Sequence, residues 1–378
     1  MTGGRPNLKA YSPDALRERL RADGLPAYRA DQIAGWLYQR GVEDPAEMTD
    51  LDRGLRRRLA AEWTTRALEV TSVERSADGT IKAALAAHDG AVVEAVLIPE
   101  EDRTTLCVST QVGCPLACSF CATGTLGLTR NLSAAEIVDQ VCRMAELLPA
   151  GRRISNVVYM GMGEPLLNLA AVVESVRTLI HPRGFAFAPR RVTVSTAGVV
   201  PRIPDLLARV PVNLAVSLHA ATDAVRDELV PLNRRFPLGV LLETLRGLPG
   251  LSRRRPVFFE YTLLAGVNDD VEDARRLVRL LRGIPSKVNV IPMNPHPGAP
   301  YAAPGPEAVD RFLGALARGG LTTTLRRSRG ADIDAACGQL AGGSARGSRP
   351  PGSRPKSRRG PCSTQSGTST ASSPSSTR

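Results

Sequence analysis

Four of the chain's seven cysteines, Cys107, Cys114, Cys118 and Cys121, fall within fifteen residues. The last three are spaced four and then three apart, a spacing that would put them on one face of an ideal helix. Gly113 and Pro115 argue instead for a loop wrapped around a ligand. Thiolates are soft ligands suited to zinc or iron–sulfur. A structural zinc site wants four protein ligands, yet no fourth Cys or His follows at short spacing, and Cys142 lies inside a predicted helix. Three ligands would leave one iron of a [4Fe–4S] cluster open, as a reactive cluster requires. The odd cysteine count without a secretory leader reads as metal or redox chemistry rather than a disulfide framework. Core cysteines that bind nothing, and zinc, are the bland alternatives.

Other residues carry chemistry only by their placement. Gly161-Met162-Gly163-Glu164-Pro165 follows the predicted strand 156–160, either as a plain strand-to-helix turn or as a ligand-binding turn with a carboxylate. Ser195, Ser217, Leu218, His219 and Asn294 fall at or just after predicted strand ends, though a lone histidine is more often structural. Cys337 stands among small residues, where a cysteine is usually a buried hydrophobe. Cys107 has strand packing as its ordinary reading, and Glu94 that of a solvent-facing edge-strand acid.

The elements that must position these groups are legible from patterning. Residues 12–68 read as helical, with Ser12 as N-cap and Pro13 in the first turn; a turn at 24–30 leads into a helix over 32–40. Two short helices around a glycine turn suit either a nucleic-acid-binding module or a plain bundle. Strand-like alternation over 68–98, with hairpin turns at Asp78-Gly79 and Asp89-Gly90, predicts a small antiparallel connector. From Thr104 strands (105–109, 156–160, 191–195, 213–217, 257–263, 288–291, 322–325) alternate with helices (134–148, 170–180, 271–282, 307–317). Repeated βα units imply a parallel sheet closing as a partial or full α/β barrel, with chemistry at the C-terminal strand ends. The expected division is 1–67 helical accessory, 68–103 β connector, 104–342 barrel with the Cys337 loop, and 343–378 a disordered basic tail.

Composition sets bounds. With 43% hydrophobic residues among 378, a sizeable core is within reach. No apolar run approaches the roughly 20 residues of a membrane helix, and Met1–Ala10 lacks a signal-peptide core. A soluble cytoplasmic monomer is expected. The net charge of +12 is misleading, because seven Lys/Arg and no acid lie after residue 340, leaving +5 for the rest.

Cys-x3-Cys-x2-Cys after the first barrel strand resembles the radical S-adenosylmethionine (SAM) signature, and Cys114–Leu132 (CPLACSFCATGTLGLTRNL) resembles the RlmN and Cfr rRNA methyltransferases in particular. The resemblance spans most of 27–342, including FFEYTLL (258–264) and IPMNP (291–295), without departure at these positions; the tail departs from it. It implies one [4Fe–4S] cluster on Cys114, Cys118 and Cys121. It also implies SAM contacts at Gly163, Glu164, Ser195, Ser217, Leu218, His219 and Asn294, a methyl-carrying Cys337, a second catalytic Cys107, and Glu94 as proton acceptor.

The chemistry so implied uses two SAM molecules per turnover. One methylates the Cys337 thiolate by displacement. The second yields a radical that takes hydrogen from the S-methyl group, and the methylene adds to C2 of adenine, a carbon too electron-poor to attack SAM. Glu94 or Cys107 takes the C2 proton, and Cys107 attacks the Cys337 sulfur, leaving a disulfide to be reduced. The implied targets are an adenosine in the peptidyl-transferase region of 23S rRNA and the adenosine beside the tRNA anticodon, with electrons from flavodoxin or ferredoxin. The alternatives are a Cfr-type enzyme methylating adenine C8, and a zinc-stabilised RNA-binding module without catalysis.

Overall fold

A computed structural model of the protein describes residues 5–341; the expected basic tail, with Cys362, lies outside them. The N-terminal region is helical, built on α1 (Pro13–Ala22), α2 (Tyr28–Ala34) and α3 (Arg53–Glu62). Ser12 caps α1 by accepting from the Ala15 amide, and Pro13 opens it where no amide is needed. The second helix starts at Tyr28, inside the stretch expected to be a turn, and runs on into a π turn over Gly35–Gln39. Leu16, Leu20, Ile33, Leu37, Leu55 and Leu59 form a core of their own.

One sheet organises the rest. β1 (Leu68–Arg75), β2 (Ile81–Ala87) and β3 (Val92–Pro99) form an antiparallel meander, turning at Gly79 (φ 86°) and Gly90 (φ 80°). The expected separate connector is instead continuous with the barrel sheet, because β3 pairs antiparallel with β4 (Thr104–Cys107), Val96 opposite Cys107. A side hairpin, β5 (Gln111–Gly113) and β6 (Leu128–Asn131), brackets the cysteine motif around the short α4 (Ala122–Thr125).

Parallel strands follow: β7 (Asn156–Tyr159), β8 (Val192–Thr196), β9 (Asn213–Ser217), β10 (Val257–Leu263), β11 (Ser286–Pro292) and β12 (Thr322–Leu325). The order is β1-β2-β3-β4-β7-β8-β9-β10-β11-β12, with β1 and β12 as its edges, so the barrel is partial. Covering helices are α5 (Ala134–Glu146), α6 (Leu169–Ile180), α7 (Arg202–Arg209), α8 (Asp223–Leu229), α9 (Leu238–Arg246), α10 (Val271–Leu280) and α11 (Pro306–Arg318). Each buries a stripe at helical spacing, such as Ile137, Val141 and Met144 on α5 or Val172, Val176 and Leu179 on α6.

Helix α5 also holds the N-terminal region in place. Asp139 is fully buried and accepts from the amides of Ala67 (2.7 Å) and Leu68 (2.8 Å), while pairing with Lys9. Lys9 and Arg143 both reach Glu43. Such a network is satisfied only when both regions are docked, because removing one member strands a buried charge.

Candidate active site

The cysteine loop is shaped by glycines. Gly113 (φ 78°) lies so close to the Gly127 carbonyl that a Cβ there would sit 1.9 Å from its oxygen, and Cys114 donates its amide to that carbonyl at 2.8 Å. Gly124 packs against Cys118 backbone, where a Cβ would fall 2.9 Å from the carbonyl oxygen. The segment folds on itself, and Cys114, Cys118 and Cys121 all border one cavity of about 160 Å³. Burial pushes the Cys114 thiol up to about 12 and the Cys118 thiol higher still, with the neighbouring cysteines adding to the shift. A bound cationic centre would reverse that preference and hold thiolates.

Spacing bears on the zinc reading. Zinc with Zn–S near 2.3 Å would hold tetrahedral sulfurs roughly 3.8 Å apart. Among the described residues, the metal-ligating atoms that gather within 4.8 Å of one another belong to Glu43, Asp139 and Cys142, not to the motif cysteines, and Lys9 and Arg143 already occupy that cluster as cations.

The same cavity is also lined by Gly163, Glu164, Ser195, Ser217 and His219. A Cβ on Gly163 (φ 98°) would lie 2.5 Å from that of Gln111; the close approach lets Gln111 accept the Glu164 amide at 2.8 Å. The Glu164 carboxylate accepts from Ala197 (2.8 Å) and Leu166 (3.0 Å). Burial nevertheless raises its pKa to about 7, against the lowering by those amides, so an incoming cation would be welcome there. His219 adopts φ 58°, and its Nδ1 accepts from the Thr262 amide at 3.0 Å. Its remaining proton therefore sits on Nε2, and burial, aided by Arg226, drives its pKa down to about 3. Leu218 is fully buried and is not among the cavity-lining residues.

A second cavity of about 610 Å³ adjoins the first and shares Cys121, Glu260 and Cys337 with it. Cys337 rides a loop tied down at both ends. Asp332 accepts from Ser76 and Ala77, and Asp78 accepts the Gly330 amide at 3.0 Å. Gly338 accepts from Ala122 (2.7 Å), and Asn294 donates to the Cys337 carbonyl at 3.1 Å. Protein surrounds the Cys337 thiol, which raises its pKa, yet the residue is open to the cavity. Cys107 lines the same cavity, pushed up to about 12 by burial and then by Cys337 itself.

Glu94 is placed differently. It is 5% exposed and is not among the residues lining either cavity. Its carboxylate accepts the Ala341 amide at 2.9 Å and lies 3.6 Å from the Lys82 ammonium. Sequence reading missed two buried groups. Arg226 is fully buried and donates to the carbonyls of Leu218 (3.0 Å), Ala197 (2.7 Å) and Ser217 (3.1 Å), locking two strand ends together; nothing in its local sequence marks it. Glu260 is 95% buried and faces both cavities; the lone acid inside an apolar strand was the available signal.

Fold and site define a radical SAM protein, and residues 108–278 match the model of the Radical SAM superfamily, whose members hold a [4Fe–4S] cluster and SAM. Residues 6–64 match the Ribosomal RNA large subunit methyltransferase N-terminal domain. The chain is 52% identical over 336 residues to the dual-specificity RNA methyltransferase RlmN of Geobacter sulfurreducens, covering 89% of this chain and 92% of that protein. Its counterpart from Anaeromyxobacter sp. is 50% identical, with 89% and 91% covered. A crystallised radical SAM methyltransferase from Sphaerobacter thermophilus superposes with a TM-score of 0.83 at 48% identity, covering 89% of this chain and 99% of that one. The chain belongs to the RlmN family.

Proposed function

We propose that this protein is a dual-specificity RNA methyltransferase that adds a methyl group to C2 of an adenosine in 23S rRNA and of the adenosine beside the tRNA anticodon. The observation that carries the reading is the pair of adjoining cavities: three cysteines with Gly163, Glu164, Ser195, Ser217 and His219 in one, Cys337 at the junction, and Cys107 in the other. When bound, the cluster and SAM supply a 5′-deoxyadenosyl radical, and SAM supplies the methyl group. Cys114, Cys118 and Cys121 would hold the cluster. Glu164, with Gly163, Ser195, Ser217 and His219, would hold SAM, Glu164 meeting its amino end. Arg226 keeps the backbone carbonyls around that pocket in place.

Cys337 sits where it can receive a methyl group from the first cavity and present it to the second. Cys107 borders the cavity an adenine must enter, so it is the group placed to take the C2 proton and then to close on the Cys337 sulfur. Glu94, bound to the loop's Ala341 end, serves to hold Cys337 in position. Asn294 does the same through the Cys337 carbonyl. A one-electron donor of the flavodoxin or ferredoxin class would feed the site. No described helix is long and apolar enough to cross a membrane.

The test is reconstitution without oxygen, followed by incubation with SAM, a reductant and either a 23S rRNA fragment or a tRNA. Methyl mapped to adenine C2 is expected in both. Methyl at C8 would assign the chain to the Cfr chemistry, which the relatives do not favour. A colourless protein holding one zinc and transferring no methyl would overturn the enzymatic reading.

A further inference from the structure

The second cavity is wider than a sulfur-to-sulfur exchange needs, and among the charged groups on its wall Glu260 is the one that also borders the first cavity. Glu260 lies at the middle of β10, directly opposite Asn289 of β11 in register. The Asn289 side-chain amide donates to Glu260 Oε1 at 2.8 Å. Among the described residues, Oε2 has no hydrogen-bond partner, although the residue is only 5% exposed. An unpaired carboxyl oxygen on a cavity wall is free to bond whatever enters that cavity. Glu260 also borders the cavity beside Cys337 and is close enough to raise that thiol's pKa.

We propose that Glu260 is a catalytic residue that reads the N1–N6 edge of the substrate adenine, its carboxylic acid donating from Oε2 to N1 while Oε1, held by Asn289, accepts from the N6 amino group. This rests on the methyltransferase reading above and adds the group that selects the base. C2 is bonded to N1, so an edge held at Glu260 leaves C2 turned toward the neighbouring Cys337. A hydrogen bond into N1 withdraws electron density from the N1–C2 bond, making C2 a better acceptor for an electron-rich carbon radical. Guanine presents the reverse pattern, a donor at N1 and an acceptor at position 6, and is refused by an acid in that orientation. Burial raises the Glu260 pKa, with the Arg326 charge and the Asn289 hydrogen bond acting against the rise, which favours the protonated form.

The experiment uses the reconstituted full chain with three anticodon stem–loop RNAs, differing only at the target: adenosine, purine riboside without the N6 amino group, and 1-deazaadenosine without N1. Each is tried with the wild-type protein, E260Q and E260A. Wild type is expected to lose roughly 10- to 100-fold in kcat/KM on either analogue. E260A should lose a similar factor on adenosine and no more on the analogues, whereas E260Q, which can donate to N1 and accept from N6, should stay within about tenfold of wild type. Methylation of the Cys337 thiol, which needs no RNA, should persist in both variants.

Wild type that treats purine riboside and 1-deazaadenosine as well as adenosine would overturn the proposal without any variant being needed. So would E260A that discriminates among the three as strongly as wild type. Parallel loss of Cys337 methylation in E260A and E260Q would move Glu260 to the SAM site instead and equally overturn it. Wild type that methylates none of the RNAs, the adenosine control included, would indict the methyltransferase reading, a distinct failure.

Discussion

Replacing Glu94 tests whether its carboxylate positions the Cys337 loop or moves a proton. In E94A the Ala341 amide loses a charged acceptor at 2.9 Å, worth about 1.5–3 kcal/mol. Lys82, only 6% exposed, loses one of its two carboxylates. Removing half of a buried pair costs about 3–5 kcal/mol, but Glu74 remains 3.1 Å from the ammonium, so the lower end applies and a loss of about 3 kcal/mol is expected in urea unfolding. E94Q keeps an oxygen for Ala341 and weakens the contact to Lys82, for about 1 kcal/mol. Hydrogen exchange across 331–341 should quicken in E94A and stay near wild type in E94Q. RNA methylation should follow the loop, falling at least tenfold in E94A and less than about fivefold in E94Q. The reasoning from placement is refuted if E94Q keeps stability and loop protection yet loses more than a hundredfold in methylation, since only a missing base would do that.

Cys118→Ala should abolish RNA methylation and strip most iron and sulfide from the purified protein, and full activity would remove the cluster from the account. Gly163→Ala should cost about 2–4 kcal/mol, from the left-handed backbone and the 2.5 Å encounter with Gln111, and weaken SAM binding while iron content holds. Equal SAM affinity, read by equilibrium dialysis, would count against the close approach. The third concerns His219, whose folded pKa of about 3 lies below its ordinary 6.5. The unfolded chain therefore takes a proton first as pH falls, so stability drops between 6.5 and 3, by about 1 kcal/mol from pH 6.5 to 5.5. His219→Gln should lose that increment, and identical pH slopes in wild type and variant would show the histidine to be solvated.

The order of the central strands and their helices was legible because strands such as β9 to β11 are largely apolar runs punctuated by turn residues, and the long crossover helices repeat an apolar stripe at helical spacing. That Cys114, Cys118 and Cys121 share one cavity was legible for a different reason: groups on one short loop are close in sequence and in space. The second helix began earlier than expected because the turn ends at Ala27 and the chain is helical from Tyr28, which buries Ala30 and Ile33 in the N-terminal core.

What the sequence alone could not decide was which distant groups meet. Glu94 reads as an edge-strand acid until β3 is seen to continue into β4 and the Cys337 loop returns to it from 247 residues away. Arg226 looks like a surface charge in a string of letters, and only the meeting of the β8 and β9 ends turns it inward. Local spacing is written in the chain because it costs no long loop closure. A shared cavity is made by ladder pairing between strands far apart in sequence, and tertiary structure alone fixes those partners.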